Sequence, residues 1–392
     1  MSNVIYLLLI LVASYFVMPV VYAQSLSIEL QQRLFTHNNT QVSQHNAYTT
    51  ALIKGEIGYE WENVSLGFEP LVSISNDDAL QYADIQQLLL THYFDTAQIF
   101  YGIDTVFWGV TESYHLVDII NQVNIVADPK REAKLGQPMI GASWFIDNHT
   151  VDLYYLPYFR EQYTPESNSR PWRGLPINDK AMYESSREQK HVDWAVRLSG
   201  FIDDIDYGFG YFRGTQRNPI YELHHNSSQL ALTPFYYQTQ QWSIDLQYTY
   251  ESWLFKGEIV YESPNSLSSQ YAWVGGFEYG IYNIVDSSQD ISLLLEGLYS
   301  NNKDSNLLPF TQHIMSGLRW DANNDSSTNA LLTLIHGIEG NDSTIYINAQ
   351  HRINESISLS LDGWLFYKVE NQPQLAAYQN EDYFQFNLTY HL

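Results

Sequence analysis

Strict alternation of apolar and polar residues over about ten positions, repeated along the chain, is the feature that most limits its fold. In QWSIDLQYTY, Trp242, Ile244, Leu246, Tyr248 and Tyr250 share one face, and Ser243, Asp245, Gln247 and Thr249 the other. WLFKGEIVYE and ISLSLDGWLFYK repeat the pattern, and so do the last ten residues, YFQFNLTYHL. Strands of soluble sandwiches usually run five or six residues. About ten is the length that crosses a bilayer when tilted. Trp61, Trp242, Trp253, Trp273 and Trp320 stand near strand ends, where interfacial girdles sit.

The connections sharpen this reading. Eighteen strands can be drawn after residue 24, with sixteen as the alternative count. Short turns are expected at 62–63, 94–97, 147–149, 203–205, 251–252, 285–289, 321–327 and 354–355. Long loops are expected at 37–46, 109–137, 161–190, 214–236 and 370–382. Regular alternation of short and long connections predicts an all-β fold, a transmembrane antiparallel up-and-down β-barrel with periplasmic turns and extracellular loops. A chain that ends on a full strand suits a barrel, because an open edge in lipid leaves backbone groups unpaired.

The N-terminal MSNVIYLLLILVASYFVMPVVYAQ predicts a secretory signal over residues 1–23, cut after Ala23, with the barrel over 24–392. Residues 1–4 carry no Lys or Arg, a departure from the usual pattern; an uncleaved anchor is the alternative. Acids outnumber bases 44 to 19, for a net charge of −25, which argues against nucleic acid as a partner. Cys is absent, so there is no disulfide, thiol nucleophile or thiolate metal site. Export by the Sec route to a Gram-negative outer membrane is the expected destination. Outer-membrane lipid, lipopolysaccharide, the barrel-assembly machinery and a small-molecule solute are the expected partners.

Three stretches carry a resemblance to a family. FWGVTESYHLVDIIN (Phe107 to Asn121) resembles a tryptophan-glycine plus Asp-x-x-Asn signature of uncharacterised proteobacterial outer-membrane barrels. TQQWSIDLQYTYESWLFKGEIVYE resembles their hairpin, and EDYFQFNLTYHL their closing strand. The family is described as porin-like or distantly alginate-export-like. The resemblance implies the fold and the outer-membrane location, and no functional residues.

Polar faces that line a lumen supply the candidate site. The lumen acids are Glu56, Asp104, Asp193, Asp245, Glu258, Glu278, Glu296 and Asp362. The first long loop is expected to hold a short helix, since Leu116, Ile119, Ile120 and Val123 follow helical spacing. Residues 130–197 hold ten of the nineteen bases. Lys130, Arg131, Lys134, Arg160, Arg170, Arg173, Arg187 and Arg197 are therefore candidates for a basic constriction, formed if one or both loops fold inward. The bland reading is a lumen braced by salt bridges. Scattered His residues and the imperfect calcium-loop mimic at Asp321, Asn323 and Asp325 point to no cofactor and no metal. The expected function is passage of small polar or anionic solutes, in export or uptake. A plugged barrel acting as a surface receptor or adhesin, or as a structural outer-membrane protein, is the alternative, and an outer-membrane hydrolase the third.

Overall fold

A computed structural model describes residues 20–38, 44–165, 169–171, 174–226, 229–302, 307–372 and 374–392. The first seven strands are β1 (Val20–Phe35), β2 (Ala47–Trp61), β3 (Val64–Ser75), β4 (Tyr82–Phe94), β5 (Ala97–Asp104), β6 (Gln137–Ile146) and β7 (His149–Leu156). Next come β8 (Met182–Tyr183), β9 (Asp193–Ile202), β10 (Ile205–Thr215), β11 (Ile220–Asn226), β12 (Gln229–Tyr236), β13 (Gln238–Tyr250) and β14 (Trp253–Pro264). The chain closes with β15 (Gln270–Ile281), β16 (Asp290–Ser300), β17 (Gln312–Asp321), β18 (Asn329–Gly337), β19 (Ser343–Asn354), β20 (Ile357–Tyr367) and β21 (Tyr383–His391).

Eighteen of these strands form one closed antiparallel sheet, each hydrogen-bonded to its neighbours in chain order, and β21 returns to β1. The count is eighteen, the larger of the two expected. β8, β11 and β12 stand outside the barrel wall as a separate three-stranded sheet built from the outer loops. All eight expected short turns fall between barrel strands, and the long loops gather at the opposite end.

Closure runs from Ser27 opposite His391 to Phe35 opposite Tyr383. Every residue from Tyr383 to His391 is therefore used by the seam. Most of the segment expected as a signal lies outside the described residues. Val20 to Ala23 extend β1 along β2, beyond the β21 ladder, so a cut after Ala23 would leave the seam whole.

Alternation matches the two environments. Trp242, Ile244, Leu246 and Tyr248 are exposed on the outer face, while Ser243 and Asp245 are buried inside. At the periplasmic edge, Trp253 packs against Tyr279 (4.5 Å between centroids) and Phe277 (5.1 Å), forming part of an aromatic girdle. The same strands hide apolar residues inside. Val260, Val274, Leu298, Met315 and Ile335 face the lumen and are buried there, which a simple polar-in rule does not anticipate. Their partners are the loop between β5 and β6 and, from the connection between β16 and β17, Leu307, Leu308 and Phe310.

Ile244→Arg, on the lipid face of β13, is expected to cost about 2–4 kcal/mol. Gln247→Arg, on the lumen face beside Asp206, is expected to be near neutral. Denaturant unfolding of the two variants in vesicles checks the pair.

Candidate functional site

Residues 105–136 fold into the barrel and fill part of the lumen. The helix expected over 116–123 does not form; the segment is a series of turns and bends. Its apolar spacing is satisfied in another way. Leu116, Val117, Ile119 and Ile120 are buried against the inward apolar residues of the wall. The backbone, without helical bonds, finds its acceptors on that wall.

Two glutamates supply them. Glu258 on β14 is wholly buried. Its Oε1 accepts from the N–H groups of Val110 (2.7 Å) and Thr111 (3.0 Å) and from the Thr111 hydroxyl (2.9 Å). Its Oε2 accepts from Val117 N–H (3.0 Å). Glu296 on β16 accepts from the N–H groups of Glu112 (2.8 Å) and Ser113 (2.9 Å) and from the Ser113 hydroxyl (2.5 Å). A buried carboxylate is costly unless donors surround it, and here seven donors share two carboxylates.

The loop's ends are tied together by Asn121. Its Oδ1 accepts from Val106 N–H (2.8 Å), and its Nδ2 donates to the carbonyls of Asp104 and Leu135 (2.9 Å each). Further along, Arg217 donates to the Ile120 carbonyl (3.0 Å from Nη2), and Arg33 to those of Val126 (3.1 Å) and Ala127 (2.7 Å). Neither arginine was singled out by sequence. Arg33 lies on the lumen face of β1 and could have been; Arg217 follows β10 in a loop and carries no pattern.

The expected constriction bases are mostly neutralised in place. Lys130 pairs with Glu112 (3.1 Å) and Glu132 (3.0 Å), and Lys134 with Asp118 (2.5 Å). Arg160 pairs with Asp84 (2.7 Å), and Arg197 with Asp245 (2.8 Å). Arg131 donates to the Asn218 side chain. Arg170 sits at the outer rim, buried, with its guanidinium on Glu381 and 4.1 Å from the Phe35 ring centroid. Its N–H donates to the Tyr48 hydroxyl (2.5 Å), and the Ser169 hydroxyl donates to Asp77 (2.8 Å). Burial pushes the Glu381 carboxyl up, with Arg170 opposing. The second long loop thus reaches from β7 to the rim of the seam. Arg187 is exposed, and Arg173 lies outside the described residues.

The remaining acids also find partners. Asp193 accepts from Arg217 (2.7 Å), and Glu278 from Arg319 (2.8 Å). Asp104 accepts from Gln87 (3.0 Å), and Asp362 from Asn348 (2.9 Å) and Asn387 (3.0 Å). Glu56 is exposed on the lumen face of β2, with the Ser25 hydroxyl 3.3 Å away.

The plug leans on one side of the barrel. Between its far side, at 127–134, and strands β1–β4 and β19–β21 lies a cavity of about 340 Å³. Tyr82, Tyr346, Trp364 and Tyr383 line it together with Gln31, Gln385 and Asn387. Glu29, Asp128, Glu132 and Asp362 on its lining outnumber Arg33 and Lys134. Among the described residues, no group of three His, Asp or Glu is placed to hold a metal.

No family model matches the chain, and no curated protein does. Solved structures do. The chain is similar to OccK5 (OpdH) of Pseudomonas aeruginosa, with a TM-score of 0.55 at 9% identity over 94% of this chain and 97% of that one. It is also similar to OccK8 (OprE) of the same organism, with a TM-score of 0.52 at 8% identity over 94% and 97%. Wzi, a carbohydrate-binding β-barrel involved in group 1 capsule assembly in Escherichia coli, gives 0.53 at 8% identity over 93% and 84%. The chain has the fold of Gram-negative outer-membrane β-barrels. At these identities the likeness is one of fold, and it extends over nearly the whole barrel.

Glu258→Ala removes the acceptor of four donors and is expected to destabilise the barrel by about 3 kcal/mol or more. Amide hydrogen exchange at Val110, Thr111 and Val117 is expected to speed up selectively, and mass spectrometry of peptides from 105–136 reads it.

Proposed function

We propose that this barrel is a narrow, constricted channel for small polar solutes, with residues 105–136 as its constriction. The observation that carries the reading is the 340 Å³ cavity beside the plug, lined by tyrosines, amides and a surplus of acids. Such a wall offers hydrogen bonds and ring faces to a hydroxyl-rich or amide-bearing solute. It favours neutral or cationic solutes over anions. The anionic preference expected from the basic loops is the competing outcome, and it is weakened because Lys130, Lys134 and Arg160 are spent on local acids.

A plugged receptor is the second reading, favoured by the seven donors that fix the plug to Glu258 and Glu296. An export path, as in the alginate-export-like barrels the motifs resemble, would use the same cavity in the opposite direction. No catalytic step belongs to either reading. The exposed Arg187 and Lys190 suit lipopolysaccharide phosphates. β21 would be the strand offered to the barrel-assembly machinery.

Single-channel recording of the refolded protein in a planar bilayer under a salt gradient is the test. Small discrete steps with a cation-leaning reversal potential are expected. Glu258→Ala combined with Glu296→Ala should enlarge the steps. Silence from folded wild-type barrels would favour the receptor, and an anion-leaning potential would return control to the basic loops.

A further inference from the structure

Below the plug, on the periplasmic side, a separate cavity of about 500 Å³ opens between Trp108–Val110 and the wall from β7 to β13. Its rim carries Asp147 and Asn148 of the β6–β7 turn. Arg197 and Asp245 line it side by side, joined by one hydrogen bond of 2.8 Å from Nη2 to Oδ1. The other two atoms of the pair are left over. Arg197 Nη1 and Asp245 Oδ2 are buried, and neither has a hydrogen-bond partner among the described residues. Arg197 is 9% exposed and Asp245 4%.

Unpaired atoms on a buried guanidinium and a buried carboxylate are costlier than an ordinary unmade hydrogen bond. The fold nonetheless builds the pair deliberately. Gly208 on β10 lies beneath it, and a Cβ there would come within 2.2 Å of Arg197 Nη2 and 2.4 Å of Asp245 Oδ2. The Trp108 ring centroid lies 4.9 Å from the guanidinium carbon and covers it from the plug.

We infer that this cavity binds a small zwitterion, one that carries an anionic and a cationic group a few bonds apart. The anionic group accepts from Arg197 Nη1, and the cationic group donates to Asp245 Oδ2. Asp206 and Asp147 on the lining add negative charge around the cationic end. A lone anion would satisfy Arg197 while facing three carboxylates, those of Asp245, Asp206 and Asp147. A lone cation would leave Arg197 Nη1 as it is. The site opens to the periplasm and does not depend on conduction through the pore.

Calorimetry on the full-length barrel, refolded in detergent, tests this with glycine as the probe. Acetate and methylammonium, the two charged halves of that probe, are the controls. Glycine is expected to bind about ten- to hundredfold more tightly than either half. Asp245→Asn and Gly208→Ala are each expected to weaken glycine by about tenfold, with heat-modifiable gel migration reporting the fold. Gly208→Ala displaces the ends of the Arg197 and Asp245 side chains rather than backbone, so it reads the site if Asp245→Asn does not fold. Glycine binding no tighter than its halves overturns the inference, with or without any variant. So does a folded Gly208→Ala barrel that binds glycine as the wild type does. A silent channel would count against the pore and leave this result standing.

Discussion

Two buried carboxylates hold the interior of this barrel in place. Backbone N–H groups away from bulk water need acceptors, and an irregular segment cannot supply its own. Residues 110–117 take theirs from Glu258 and Glu296 on the wall. Each side of that arrangement solves the other's problem. The carboxylates avoid the desolvation cost of burial, and the amides avoid being orphaned. The apolar residues around them then pack as a core that lies inside the lumen instead of between two sheets.

The barrel itself was legible from period two. A strand with one face in lipid must alternate, so its length, count and turns can be read off residue by residue, as β13 and β21 show. The lumen was far less legible. Val260 and Met315 stand at inward positions that the rule assigns to polar residues, and they make sense only once the loop between β5 and β6, remote from both in the sequence, fills the lumen. Helical spacing in the loop misled for the same reason. Leu116, Ile119 and Ile120 needed one apolar face, but tertiary contacts with the wall overrode the helix. Arg33 could have been found by parity on β1, whereas nothing local marks Arg217.

Charge pairing changes what the basic stretch at 130–134 means. Counted along the sequence, these residues form a cluster opposite acidic walls. In three dimensions Lys130 and Lys134 are held by Glu112, Glu132 and Asp118, all within the same loop. The field such pairs project is that of dipoles, which falls off faster than that of isolated cations. What faces the 340 Å³ cavity is instead a wall of tyrosines and amides with a modest excess of acid.

The seam between β1 and β21 joins Ser27 to His391. It is the most distant pairing in the sequence, so its loop-closure entropy is the largest and its reward comes after every hairpin ladder has formed. A sheet that zips from hairpin to hairpin stays open along this one line until its two edges meet. The Ser169–Arg170 strap bonds to Tyr48, Asp77 and Glu381 beside that same line. A contact that forms there belongs to the last stage of assembly and slows the barrel's reopening more than it speeds its closing. The lifetime of the closed cylinder is then set at this line.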